Sequence, residues 1–254
     1  MSDILTGLSR RLEAKRLRLV FAAESGSRAW GFASPDSDFD IRFVFASERD
    51  SYVALFDPTQ DIQYQEKSPI GPLDYAGWDL KKTLTLASRS NPSLLEWLGS
   101  PIVYSDRHGF GRDLGEFMGE HFSPRALAHH YINFMRNIRG KYMSDFVGEY
   151  TMKRYFYALR PILVILWMQA NPWQLPPVQF RELLGVEMPE GALSEIETLL
   201  RLKAEQIEAV DHKSPLLDRF IADWFDKGHD TANAFPARQV PIDGLNTMLR
   251  RFLT

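Results

Sequence analysis

The sequence predicts an α+β protein: a small mixed β-sheet with helices on one side over residues 1–105, then an all-helical domain over residues 106–254. Three observations predict it. Leu17–Ala23 is an apolar run of strand length, and Asp38–Phe45 alternates with period two. From Ser123 onward the apolar residues recur at helical spacing instead, beginning with Leu127, Tyr131, Phe134, Ile138 and Tyr142. With 44% hydrophobic and 25% charged residues in a chain of 254, there is enough apolar surface for one large domain or two modest ones.

In chain order, residues 3–16 read as a covering helix with Ile4, Leu5, Leu8 and Leu12 on one face. After the Leu17–Ala23 strand comes a tight Glu24-Ser25-Gly26-Ser27 turn, a helix-compatible piece Arg28–Phe32, and a second turn at Ser34-Pro35-Asp36-Ser37. Ser47–Asp57 reads as a short helix or loop, Asp61–Glu66 as a strand, and Ser68–Pro72 as a turn. A helix is expected from near Trp78, with Leu80, Leu84 and Ala87 on its apolar face. Asn91-Pro92 breaks it, Ser93–Leu98 forms a second short helix ended by Gly99, and Ile102–Tyr104 is a last strand.

Ser123-Pro124 is an N-cap followed by proline at the first helical position. The following helix, Tyr150–Gln169, is apolar almost all round in its second half and is expected to kink or split at Arg160 because of Pro161. Gln174–Pro177 is a linker, Ser194 with Glu197 spells a capping box, and Ser214-Pro215 starts a helix that Gly228 closes.

Composition excludes several classes. A net charge of −3 is not that of a protein that coats nucleic acid. Zero cysteines exclude disulfides and cysteine-based zinc sites, and fit a reducing compartment. The longest apolar stretch, Pro161–Met168, is far too short for a bilayer, and the N-terminus has no signal-peptide core; a soluble, cytoplasmic protein is expected. The six histidines are scattered, and His129-His130 lacks the spacing for a helical metal site. Charge is uneven, however. Arg125–Arg160 carries seven Lys/Arg against Asp145 and Glu149, a region able to meet a polyanion.

The chemistry concentrates in Leu17–Phe45. Alternation on the second strand puts Asp38, Asp40, Arg42 and Val44 on one face, opposite Phe39, Ile41, Phe43 and Phe45. Asp38 and Asp40 thus lie side by side, about 6–7 Å apart along the backbone. Like charges this close repel unless a cation lies between them or one is protonated. Hard oxygens at this spacing suit Mg²⁺ or Mn²⁺, which takes its other ligands from water and substrate phosphate. Gly26-Ser27 sits upstream on a turn entering a helix, where a glycine backbone approaches a ligand closely and free N–H groups face a phosphate. Carboxylates and phosphate cradle in one local unit make a phosphoryl- or nucleotidyl-transfer constellation.

Gly26-Ser27, ten residues, then Asp38-x-Asp40 resembles the signature of the DNA polymerase β-type nucleotidyltransferase superfamily. The longer stretch ESGSRAWGFASPDSDFDIRFVF, with LDYAGWDLKKTL and NPSLLEWLGSPIVY, is similar to its RNA-repair-ligase-associated (RlaP-type) branch over at least residues 17–170. The resemblance implies a palm-like catalytic domain and transfer of an NMP from an NTP to a hydroxyl, releasing pyrophosphate. It implies that Asp38 and Asp40 hold divalent ions, that Gly26 and Ser27 grip the triphosphate, and that a third carboxylate on a later strand completes the site. Asp74 is the choice for that third place, Asp79 the runner-up and Glu66 a more distant third. Arg28 either pairs with phosphate or is a surface arginine. A basic residue from the helical domain is implied over the triphosphate, with Lys153 leading and Lys141 and Arg160 as the other candidates.

The acceptor stays open between an RNA 3′ end, which the branch favours, a protein hydroxyl as in enzymes that attach AMP, and a small molecule. An RNA-repair ligase is the implied neighbour. Tyr131, Tyr142, Tyr150 and Arg136 are candidates to line an RNA groove, though helical spacing favours core packing for the tyrosines. Asp-x-Asp also occurs in haloacid-dehalogenase-type phosphatases, which want a different following residue than Ile41-Arg42, and in glycosyltransferases, which need no Gly-Ser turn. A nucleotide-binding regulatory module without turnover is the non-enzymatic alternative; retention of Gly26, Ser27, Asp38 and Asp40 favours an enzyme.

Overall fold

A computed structural model describes residues 2–35, 37–56, 58–143, 152–205, 213–225, 227 and 229–253, with the side chains of all of these but 2, 3, 139–143, 152, 153 and 229. They form two compact units. The first comprises Met1–Ala29, Ser37–Phe122 and Gln239–Thr254; the second comprises Trp30–Asp36 and Ser123–Arg238. By contacts the division falls at 122/123, and residues 239–254 count with the first unit.

The first unit runs α1 (Ser2–Glu13), β1 (Arg18–Glu24), the single turn α2 (Gly26–Ala29), β2 (Phe39–Ala46), a 3₁₀ turn at Arg49–Val53, β3 (Asp61–Ser68), β4 (Gly71–Asp79), α3 (Leu80–Ser88), α4 (Pro92–Leu98), β5 (Val103–Ser105) and α5 (Phe110–His121). The second holds α6 (Pro124–Met143), α7 (Met152–Ala170), a 3₁₀ turn at Phe180–Leu183, α8 (Ala192–Ala204), α9 (Pro215–Phe225) and α10 (His229–Asn233), before α11 (Ile242–Phe252) closes the chain. The class is α+β, as the sequence predicts. Among the described residues no helix is long and apolar enough to cross a membrane.

The sheet has the order β3-β4-β2-β1-β5. β2 and β4 are parallel and the other neighbours antiparallel, so the sheet is mixed. One face packs Ile41, Phe43, Phe45, Leu73 and Tyr75 against Ile4, Leu8 and Leu12 of α1. On the other, Trp78 stacks on Trp97 of α4 at 3.8 Å between ring centroids. Phe21, paired with Val44 on that face, lies so close to Gly111 of α5 that a Cβ there would be 2.4 Å from the ring. Helices thus cover both faces, where one was expected. α5 was not anticipated, and its buried Phe110, Leu114 and Met118 place it with the sheet.

β4 extends past Trp78, where a helix was expected to begin. The helix begins at Leu80, because β4 is laddered to β2 as far as Asp79 and to β3 as far as Trp78, which keeps the backbone extended.

In the second unit, α7 continues through Pro161 without splitting, its stretch Pro161–Ile165 fully buried. On α6, Phe134 is 44% exposed while Ala128, Ile132 and Met135 are buried beside Leu127, Tyr131 and Ile138, so the apolar stripe is rotated from the one read in the sequence. Tyr131 is a core residue, and Tyr142 and Tyr150 lie outside the described side chains. α8 starts at Ala192 after Gly191, leaving Ser194 inside the helix, where its carbonyl accepts from Thr198 Oγ1. Ser214 does cap α9, its hydroxyl accepting from the Leu217 N–H, while Gly228 lies outside the described residues. The segment Trp30–Asp36 counts with this unit because Phe32 stacks on Phe156 at 4.4 Å and meets Phe180 edge-on.

Candidate active site

The end of β1 and the start of β2 are tied together around one glycine. The Ser25 N–H donates to the Asp40 carbonyl at 2.9 Å, and the chain then turns at Gly26 with φ +59°. A Cβ built on Gly26 would stand 2.0 Å from Oδ2 of Asp40. Only glycine fits, both for the backbone angle and for the space. Ser27 follows on the single turn of α2, half-buried. The Gly-Ser turn and the Asp40 carboxylate are therefore in direct contact.

Asp40 has a second acidic neighbour. The parallel β2–β4 register pairs Asp40 with Asp74. Between them lies Arg42, whose Nη2 is 2.8 Å from Asp40 Oδ1 and 2.9 Å from Asp74 Oδ2. Its Nη1 donates to the Asp74 carbonyl at 3.0 Å. The other carboxylate oxygen of Asp74, Oδ1, accepts from Gln65 Nε2 at 3.3 Å. All three charged side chains are about one-fifth to one-quarter exposed: Arg42 18%, Asp74 19% and Asp40 26%. Asp38 stands one residue before β2 and is exposed.

Glu24, which sequence reasoning passed over, supports the group from within. It is fully buried; its Oε1 accepts from the Asp40 N–H at 2.6 Å and its Oε2 from the Tyr104 hydroxyl. Burial pushes its carboxyl above the ordinary value, against the pull of those two hydrogen bonds. An acid directly after the apolar run Leu17–Ala23 was the available signal. Arg42 had one too, since alternation already placed it on the carboxylate face.

The other candidates are distributed differently. Arg28 donates from Nη2 to the Ser37 carbonyl at 2.7 Å and from Nε to the Asp38 carbonyl at 3.1 Å, with its guanidinium 3.7 Å from the Phe39 ring centroid. It fastens the turn that delivers Asp38. Asp79 lies five residues beyond Asp74 on β4, about 17 Å along an extended strand. It is buried, caps α3 through the Lys81 N–H at 2.8 Å, and accepts from the Tyr52 hydroxyl at 2.5 Å. Glu66 pairs with Arg11 at 2.9 Å. Arg160 belongs to the second unit; buried, it donates to the Val178 carbonyl at 2.8 Å and lies 4.7 Å from the Trp30 ring centroid. The side chains of Lys141 and Lys153 lie outside the described residues.

Among the described residues no three acidic or imidazole groups converge into a metal cage. Mg²⁺ does not need one, since it commonly keeps several waters and takes one or two carboxylates plus substrate phosphate. The hard-oxygen donors Asp40 and Asp74 fit that mode of binding.

A solved nucleotidyltransferase-like protein from Exiguobacterium sibiricum 255-15 overlays with a TM-score of 0.30 and 11% identity, over 96% of this chain and 72% of its own; so loose an overlay does not bear on the site. The uncharacterized protein YcgL of Bacillus subtilis (strain 168) is 36% identical over 250 residues, 97% of this chain and 94% of its own length. The model of the RlaP family, described as the RNA repair pathway DNA polymerase beta family, matches residues 1–251. The chain belongs to that family.

Proposed function

We propose that the protein is a metal-dependent nucleotidyltransferase that moves an NMP from an NTP to a hydroxyl acceptor, with an RNA 3′ end favoured, and releases pyrophosphate. One observation carries the reading: the contact of Gly26 with the Asp40 carboxylate, beside Asp74 in register. That contact supports a triphosphate gripped by the Gly26-Ser27 turn next to the acidic pair. Asp38, Asp40 and Asp74 would hold Mg²⁺ or Mn²⁺, which when bound supplies charge stabilisation to the reacting phosphate and activates the attacking oxygen.

The chain's own residues do the rest. The Gly26 backbone and the Ser27 hydroxyl donate to phosphate oxygens. Asp74, on a strand paired on both sides, would take the proton of the incoming hydroxyl as its oxygen bonds to the α-phosphorus and the bond to pyrophosphate breaks. Arg28 and Glu24 keep the turn and β2 in place, so the acidic side chains need little reorganisation on binding. Arg28 is thus proposed as a support for the loop. Any part for Lys141, Lys153 or Arg160 at the triphosphate remains an expectation from the family resemblance.

The test is incubation with Mg²⁺ or Mn²⁺ and each labelled NTP in turn, with RNA, with protein and with no added acceptor. The double variant Asp38→Ala/Asp40→Ala serves as the blank. Label transfer to RNA that vanishes in the blank is the expected result. Transfer to protein instead makes the chain an AMP-transferase-like enzyme, and nucleotide binding without pyrophosphate release makes it a regulatory module. Activity of the blank within about tenfold of the parent, a barrier change of only ~1.4 kcal/mol, would sink the assignment of the acidic residues.

A further inference from the structure

Carboxylates directly opposite on neighbouring strands repel. Asp40 and Asp74 occupy such positions, and a single guanidinium reaches both: Arg42 Nη2 lies 2.8 Å from one and 2.9 Å from the other. Its Nη1 is meanwhile fixed to the Asp74 carbonyl, so the fork is anchored on the backbone while its other arm spans the acids. A planar fork with several fixed donors suits this task; a lysine ammonium has no second arm to anchor. The carboxylate oxygens engaged by Arg42, Asp40 Oδ1 and Asp74 Oδ2, are hard donors of the kind a divalent cation takes. One cation and the other must therefore compete for them.

We propose that Arg42 is a positioning residue, an internal counter-ion that holds the Asp40 and Asp74 carboxylates together and gives up their oxygens when a divalent cation enters, an inference that rests on the metal-dependent reading above. The acids are thereby kept aligned before any metal arrives. The cost is a lower divalent affinity, because entry requires a resident positive charge to withdraw. Once withdrawn, the guanidinium remains next to the site on its backbone anchor.

The experiment measures Mn²⁺ binding calorimetrically for the parent, Arg42→Gln and Arg42→Lys, beside thermal melts of each without metal. Arg42→Gln removes the competing charge. Its Mn²⁺ affinity is expected to rise about tenfold, as expected for removing a unit charge a few ångströms away in a partly exposed site. Its metal-free melting temperature falls, and saturating Mn²⁺ restores it by more than the same addition raises the parent. Arg42→Lys keeps the charge and stays within about threefold of the parent's affinity. In the parent itself, the Arg42 Nε–H resonance, identified by its loss in Arg42→Lys, is expected to move during a Mg²⁺ titration.

Equal or weaker Mn²⁺ binding by Arg42→Gln overturns the counter-ion role while leaving the metal-dependent reading intact. A stationary Arg42 resonance in a parent that binds Mg²⁺ does the same, and holds even if Arg42→Gln does not fold. No Mn²⁺ binding by the parent or by a folded Arg42→Gln, either alone or with a saturating NTP present, overturns the metal-dependent reading and the inference together. Binding by Arg42→Gln alone supports both.

Discussion

Gly26 and Asp40 are in contact across the turn between β1 and β2, with no room for a methyl group: an added Cβ would lie 2.0 Å from Oδ2. Because φ is +59° at this glycine, relaxation of the neighbour would not remove the backbone strain. Gly26→Ala is expected to destabilise by about 2 kcal/mol, roughly 4–8 °C in Tm, and to displace the Asp40 carboxylate. A thermal melt together with the labelled-NTP assay checks this. A variant with parental Tm and turnover would show that the turn does not hold the acid.

The two acids of β4 should separate cleanly. Asp74 pairs in register with Asp40, whereas Asp79 pairs with Phe45 at the far end of the ladder and caps α3. Asp74→Asn is expected to lower turnover by about 10²-fold or more, with a far smaller effect on nucleotide binding. Asp79→Asn, which keeps a capping side chain, should leave turnover within a few-fold of the parent. Steady-state rates of the two variants, measured side by side, decide whether Asp74 or Asp79 is the third carboxylate.

Asp79 carries a pH signature of its own. Burial raises its carboxyl above the ordinary 3.8, and the Tyr52 hydrogen bond and the backbone N–H groups only partly offset this. The unfolded chain loses this proton near 3.8, while the folded protein keeps it to higher pH. The group's contribution to stability is therefore most favourable below that value and declines as pH rises through the folded pKa. Asp79→Asn removes the slope. The Tm of the parent relative to the Asn variant is expected to fall as pH rises above the ordinary 3.8, and a flat difference would show that the carboxyl titrates normally.

Arg160 is held as a structural residue of the second unit. The residue is 3% exposed, its guanidinium bonded to the Val178 carbonyl and set beside the Trp30 ring. Arg160→Met strips a donor from a buried carbonyl and removes the cation–π contact. A loss of about 2–3 kcal/mol in denaturant unfolding is expected. An unchanged midpoint combined with a tenfold weaker NTP affinity would reassign Arg160 to the nucleotide.

What the sequence determined by itself is local. The β1 strand, the glycine-serine turn and β2 follow from an apolar run, turn chemistry and period-two alternation, each a property of a few adjacent residues. The same alternation set Asp40 and Arg42 on one face. Tertiary structure decided whatever depends on register and on distant packing. Asp74 meets Asp40 only because β4 lies parallel to β2 in one particular alignment, and β4 reaches Asp79 only because ladders on both sides hold it extended. The bridge from Arg42 to Asp74 follows from that alignment. So does the buried Glu24 beneath Asp40, which needs the Tyr104 hydroxyl of β5 to receive it. No local period encodes which strand will lie beside which, and a shift of one residue would have turned Asp74 to the opposite face.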